Sequence, residues 1–234
     1  YSWYHSAQLS VEKRFAKGYT INGNYTFSKF MQASERLNAS DPRPTEMISD
    51  LDRPHRLTLS GIYEFPFGRG KPIGASVHPA AEKLIGGWQL SGTYVSQSGA
   101  PLGHWGNIIF VGNINDLKLP SDEQTWAHWF NFEAAGFNKL SANNLANNVR
   151  TFPYRFGFLR GDKTNNFDFS MQKKTSITEG KQLVFRMDWL NALNHTVLPG
   201  PNLDPTSNNF GKIVGNSNQA NYPRRIEFGF HFVF

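Results

Sequence analysis

The chain has 234 residues, of which 15% are aromatic and only 18% charged, with 22 asparagines and 20 phenylalanines; an ordinary soluble domain carries roughly 25% charged residues. Its 24 Lys and Arg outnumber 18 Asp and Glu, but they are scattered singly, with no run to track a phosphate backbone, which argues against nucleic acid as a partner. The lack of cysteine removes disulfides, Cys-ligated zinc and thiol catalysis, and no run of about 18 apolar residues offers a transmembrane helix.

Along the chain, seven segments alternate apolar and polar residues with the period of two that marks a strand. Segment 7–15 sets Ala7, Leu9, Val11 and Phe15 against Gln8, Ser10, Glu12 and Arg14, with Lys13 intruding on the apolar side. Lys17-Gly18 predicts a tight turn. Segment 19–28 then opposes Tyr19, Ile21, Gly23, Tyr25 and Phe27 to Thr20, Asn22, Asn24, Thr26 and Ser28. Segments 55–65 and 88–97 repeat the pattern with Leu57, Leu59, Gly61, Tyr63 and Phe65, and with Trp88, Leu90, Gly92 and Tyr94. Segments 167–174 and 183–190 flank a turn at Glu179-Gly180 and carry Phe167, Phe169 and Met171, then Leu183, Phe185, Met187 and Trp189. The last, 226–234, ends the chain with Ile226, Phe228, Phe230, Phe232 and Phe234 on one face.

Connections 17–18 and 175–181 are short and 66–87 is moderate, whereas 29–54, 98–166 and 191–224 are long and rich in Asn, Pro, Gly and Ser. Short turns on one side and long loops on the other are the habit of an outer-membrane barrel. The face composition agrees. A soluble sandwich buries mainly Val, Ile and Leu and puts charges on its solvent face, but here Phe, Tyr, Trp and Leu oppose Thr, Ser, Asn and Gln, as in a lipid band against a polar lumen. The expected fold is therefore an all-β, antiparallel, up-and-down transmembrane barrel segment with long extracellular loops. Tyr25, Leu59, Tyr63, Leu90, Phe169, Phe185 and Phe230 should face lipid, and Asn24, Thr58, Thr93 and Arg186 the lumen. Seven strands cannot close an antiparallel ring. The chain starts at Tyr1 without a signal peptide, which reads as a processed product or a piece entered in mid-barrel.

Ser49-Asp50-Leu51-Asp52-Arg53-Pro54-His55-Arg56-Leu57, followed by Gly61 to Lys71, resembles the C-terminal barrel region of TonB-dependent outer-membrane receptors, closest to the Oar-like group with an N-terminal carboxypeptidase-regulatory-like domain common in acidobacteria. Gly86 to Gly92, Leu159-Arg160-Gly161-Asp162, Asn165 to Asp168, Asn191-Ala192-Leu193-Asn194-His195 and Phe232-Val233-Phe234 match the same family. The likeness covers nearly all of 1–234 and weakens between Leu102 and Arg150. It implies the last seven strands of a barrel of about 22 strands, without the plug domain. The implied function is that of the parent: TonB-dependent uptake of an unidentified nutrient, whether sugar, peptide or chelate, in the bacterial outer membrane. Implied partners are outer-membrane lipid, the barrel-assembly machinery, the plug and upstream strands, and TonB through the parent chain. The apolar stripe Ile226, Phe228, Phe230, Phe232 and Phe234 resembles the signal read by the assembly machinery.

No metal, cofactor or catalytic site is expected. The seven histidines are dispersed, with no His-Glu-x-x-His and no i, i+4 pair, and neither a nucleophile elbow nor a carboxylate pair is present. Aromatics and amides between Trp105 and Tyr154 offer a candidate ligand site: Trp105, Trp126, Trp129, Phe130, Arg150 and Tyr154 could stack on and hydrogen-bond a small ligand. The same side chains could instead build a core for the long loop. The competing class for the whole chain is an extracellular structural or adhesive β-rich subunit that assembles by pairing strand edges.

Overall fold

The computed structural model describes residues 1–103, 112–133, 149–151, 153–214 and 221–234. In chain order its strands are β1 (Ser2–Ala16), β2 (Tyr19–Gln32), β3 (Met47–Ile48), β4 (His55–Glu64), β5 (Trp88–Gln97), β6 (Pro101–Gly103), β7 (Arg155–Arg160), β8 (Thr164–Thr178), β9 (Lys181–Leu190) and β10 (Arg225–Val233). A helix, α1 (Pro79–Ile85), precedes β5, and a 3-10 turn covers Ile114–Leu117. The seven alternating segments are the seven long strands, joined as one antiparallel wall in the order β1-β2-β4-β5-β8-β9-β10. Strands β6 and β7 pair with each other and not with the wall, so segment 98–166 adds no wall strand among the described residues. None of their helices is long and apolar enough to cross a membrane.

Partners in a ladder share a face, and the register therefore tests the expected sidedness. One row runs Gly23, Leu59, Tyr94, Phe167; the next runs Ile21, Gly61, Gly92, Phe169, Trp189, Ile226; a third runs Tyr19, Tyr63, Leu90, Met171, Met187, Phe228. Phe185 sits between Lys173 and Phe230, and Tyr25 between Leu9 and Leu57. All seven residues assigned to lipid thus share the apolar face. Rings stack along it, with Phe169 and Trp189 centroids 4.3 Å apart and Phe185 and Phe230 5.1 Å apart. The alternate rows are polar apart from Val95: Ser10, Asn24, Thr58, Val95, Asn166, and Glu12, Asn22, Ser60, Thr93, Asp168. Arg186 continues this face opposite Gln172, where a groove of about 480 Å³ is lined by Thr93, Asp168, Ser170, Asp188 and Glu227.

The strands outrun the alternation that announced them. β1 begins at Ser2, β2 continues to Gln32 and β8 spans Thr164 to Thr178, because ladder bonding extends beyond the band in which side chains must be apolar. Lys13 does lie in the apolar column, opposite Ile21. Its Nζ donates to the carbonyls of Ala16 and Tyr19 at 3.0 and 3.3 Å and lies 3.5 Å from the Tyr19 ring centre. The charge therefore leaves the apolar band at the turn. Lys17 and Gly18 take φ of 56° and 83°, the left-handed pair that a two-residue hairpin with native strand twist needs. Gly87, at φ 72°, lies so close to the Lys174 carbonyl that a side chain there would collide with it.

Candidate functional site

At one end of the wall the described parts of the connections 98–163 and 191–224 share a core, and the connection 33–54 joins them through Asn38 and Asp52. Leu102, Leu117, Trp129, Phe130, Phe156, Leu159, Phe210 and Ile213 are buried together, with Phe130 fully enclosed and edge-on to Phe210 at 5.2 Å. Backbone bonds reinforce the join: the Trp129 N–H donates to Gly211 O at 3.0 Å and the Ile213 N–H to Trp126 O at 2.7 Å. The Trp129 indole donates to Arg160 O at 2.8 Å.

Two motif stretches meet where this cap joins the wall. Asp52, 1% exposed, accepts from the Phe30 N–H at 2.7 Å through Oδ1 and from Arg160 Nη2 at 2.6 Å through Oδ2. Arg160 also donates to the carbonyls of Gly99, Asp52 and Gly157. One guanidinium thereby ties β2, the end of β5, β7 and the turn before β4. Ser49, fully buried, donates its N–H to Phe30 O, while the Ser28 hydroxyl donates to Arg53 O. Burial, with the nearby charge of Arg160, lowers the pKa of Arg53 against the pull of Asp52 and Asp50; a guanidinium remains charged regardless. A second junction is built on Asn191, whose N–H donates to Asp168 Oδ1 at 2.7 Å and whose Nδ2 donates to His195 O and Tyr222 O. Asp162 accepts from the Leu198 N–H at 2.9 Å. These motifs fasten loops to strands.

Of the candidate ligand residues, Trp129 and Phe130 face the core of the cap, whereas Trp126 is 67% exposed. Arg150 and Tyr154 come together, the guanidinium 4.2 Å from the ring centre. The Arg150 N–H donates to Asn38 Oδ1 at 2.8 Å, Asn38 Nδ2 donates back to Arg150 O at 3.0 Å, and the Tyr154 hydroxyl donates to the carbonyls of Arg36 and Leu37. Burial lowers the pKa of Arg150, and Tyr154 opposes the shift. Trp105 lies outside the described residues. Asp52, Arg160, Asn38 and Asn191 were not among the sequence candidates for a site. The signal for three of them was present, since Asp52, Arg160 and Asn191 stand in the motif stretches, but nothing in linear spacing pairs residue 52 with residue 160.

The stripe Ile226, Phe228, Phe230, Phe232 and Phe234 lies on the apolar face of the last strand, and Phe234 is 91% exposed. β10 pairs only with β9, and β1 only with β2, so each presents an open edge among the described residues. Within those residues no three His, Asp or Glu gather as a metal site.

Residues 1–227 match the family model described as an outer membrane beta barrel domain. The chain belongs to that family. It is an outer-membrane protein whose wall crosses the bilayer with strands, its apolar face to lipid. Comparison with curated proteins and with solved structures gives no match.

Proposed function

We propose that this chain is the C-terminal part of a TonB-dependent receptor barrel that takes up a small nutrient, with its three long loops forming part of the outer ligand-capturing face. The observation that carries the reading is an open wall of seven strands under one joined loop cap. Unpaired backbone groups in lipid cost several kcal/mol each, so both edges need further strands, and an arc of a larger ring supplies them from the same parent chain. The uncharged amides and hydroxyls of Asn22, Asn24, Thr58, Ser60 and Thr93 suit a wet lumen shared with a plug. No chemistry is assigned to the chain; it binds and admits.

The test compares cells with and without the parent gene for depletion of oligosaccharides and oligopeptides from a defined medium. Depletion that requires the gene and disappears when TonB is deleted supports the reading. Gene-dependent depletion that survives loss of TonB overturns it. In the same reading the terminal stripe directs assembly. Deleting Phe234 should lower the heat-modifiable, folded protein in outer membranes more than any single substitution in 29–54 or 191–224, and normal amounts would make β10 an ordinary strand.

A further inference from the structure

The charges of the wall are sorted by face. All five carboxylates of its strands, Glu12, Glu64, Asp168, Asp188 and Glu227, stand in polar rows. On the apolar face the charged side chains are lysines at the two margins. At the short-turn margin Lys13 is satisfied by two carbonyls and the Tyr19 ring, and Lys173 by Gly86 O at 2.6 Å and the Trp88 ring at 5.1 Å, while Lys181 stands exposed at the very start of β9.

The long-loop margin differs. Lys29 stands directly across the ladder from His5, and among the described residues neither side chain has a hydrogen bond or ion pair. In the adjacent row, His55 lies opposite Phe27. Its Nδ1 is engaged by the Tyr25 hydroxyl at 2.8 Å and its ring lies 5.2 Å from that of Phe27, leaving Nε2 unengaged. Two carboxylates line the same cavity as Lys29, and both are engaged elsewhere: Glu46 accepts from the Tyr1 hydroxyl at 2.8 Å, and Asp52 from Arg160 Nη2 at 2.6 Å and the Phe30 N–H at 2.7 Å. Height places this cluster. From Tyr19 to Lys29 the strand advances ten residues, roughly 34 Å of extended chain and about 26 Å along the membrane normal at a tilt of about 40°. That matches the apolar band of about 25 Å, so Lys29 emerges at the headgroup level of the outer leaflet.

We propose that Lys29, with His5 and His55, docks the phosphorylated headgroup of an outer-leaflet lipid on the outside of the wall. A phosphate monoester offers several acceptor oxygens to an ammonium and to imidazole N–H groups, while Tyr25 and Phe27 pack against the acyl chains below. The proposal rests on the membrane placement of the wall and is independent of the transport reading.

The test uses the protein extracted from outer membranes in detergent and titrated, by native mass spectrometry, with a bisphosphorylated lipid A and with its dephosphorylated counterpart. Wild type should bind the phosphorylated lipid roughly tenfold more tightly. The double variant Lys29→Gln, His5→Gln should lose that preference, Lys29→Arg should keep it, and Lys13→Gln and Lys173→Gln should leave it unchanged, each confirmed as folded by heat-modifiable migration. Equal binding of the two lipids by wild type, an undiminished preference in the double variant, or displacement of the lipid by millimolar inorganic phosphate would each overturn the proposal.

Discussion

The wall and the loop cap are stabilised by different solvents. In the wall, Phe228, Phe230 and Phe232 are 65%, 69% and 52% exposed, and Val184 is the one buried hydrophobic of its seven long strands among the described residues. In the cap, Phe130 and Leu117 are fully enclosed. The same residue type therefore serves opposite ends. A wall phenylalanine needs only hydrocarbon beside it, and the ladder holds its backbone. A cap phenylalanine needs partners of matching shape, because packing must exclude water. The wall should accordingly tolerate changes of size and reject charge, and the cap should do the reverse at its exposed rim and reject loss of volume at its centre.

The sharpest way to break that comparison is truncation of matched aromatics. Phe130→Ala should destabilise the cap by about 3–5 kcal/mol and open its loops to protease while the wall keeps its heat-modifiable migration. Phe169→Ala, on the lipid face and outside the terminal stripe, should leave both unchanged within about 1 kcal/mol, since lipid fills the space. Comparable losses at both positions would mean that the wall packs against protein there.

Charge sharpens it from the other side. Leu59→Lys, at mid-membrane on the lipid face, should cost roughly 2–4 kcal/mol in reversible folding into lipid vesicles, and Thr58→Lys, one residue away on the lumen face, far less. Equal costs would remove the sidedness on which the wall is read.

The third test severs the two regions. Asp52→Asn removes the charge facing Arg160 at 2.6 Å. The penalty for breaking a buried pair is reduced by the 20% exposure of the Arg160 side chain, to about 2–3 kcal/mol. The expected result is faster hydrogen exchange in Arg155–Arg160 and in the turn before β4, with rows such as Ile21, Gly61, Gly92 and Phe169 unchanged. Uniform slowing or quickening across the wall would show that the pair does not act as a local latch.

The two regions also differ in how legible they were in the sequence. The wall was readable because lipid imposes one rule on every strand, and period-two alternation reports it directly; where it stops, as at Lys29 and before Ala7, the strand continues but the lipid does not. Seven strands, their faces and the side carrying long loops all followed. The cap was not readable in that way. Its core joins Leu102, Phe130, Leu159 and Phe210 from two separate connections, and its latch joins Asp52 to Arg160, contacts set by tertiary packing with no period to announce them. Local chemistry was equally silent on β6 and β7, too short and irregular in pattern to stand out within a long loop.

The smallest expected effect on stability falls on Trp126, and it bears most on ligand capture. Its indole is exposed at the rim while its backbone carbonyl accepts from Ile213, so Trp126→Ala deletes surface without emptying the core and should change cap stability by no more than about 0.5 kcal/mol. Trp129→Ala, three residues on, removes a buried ring and the indole bond to Arg160 O and should cost several-fold more in the same proteolysis assay. If the cap captures a ligand, the order inverts in function: Trp126→Ala lowers gene-dependent depletion of nutrient while the loops stay protease-resistant. Unchanged depletion with Trp126→Ala would assign capture to other rim residues and leave the aromatics of 112–133 to the internal packing of the cap.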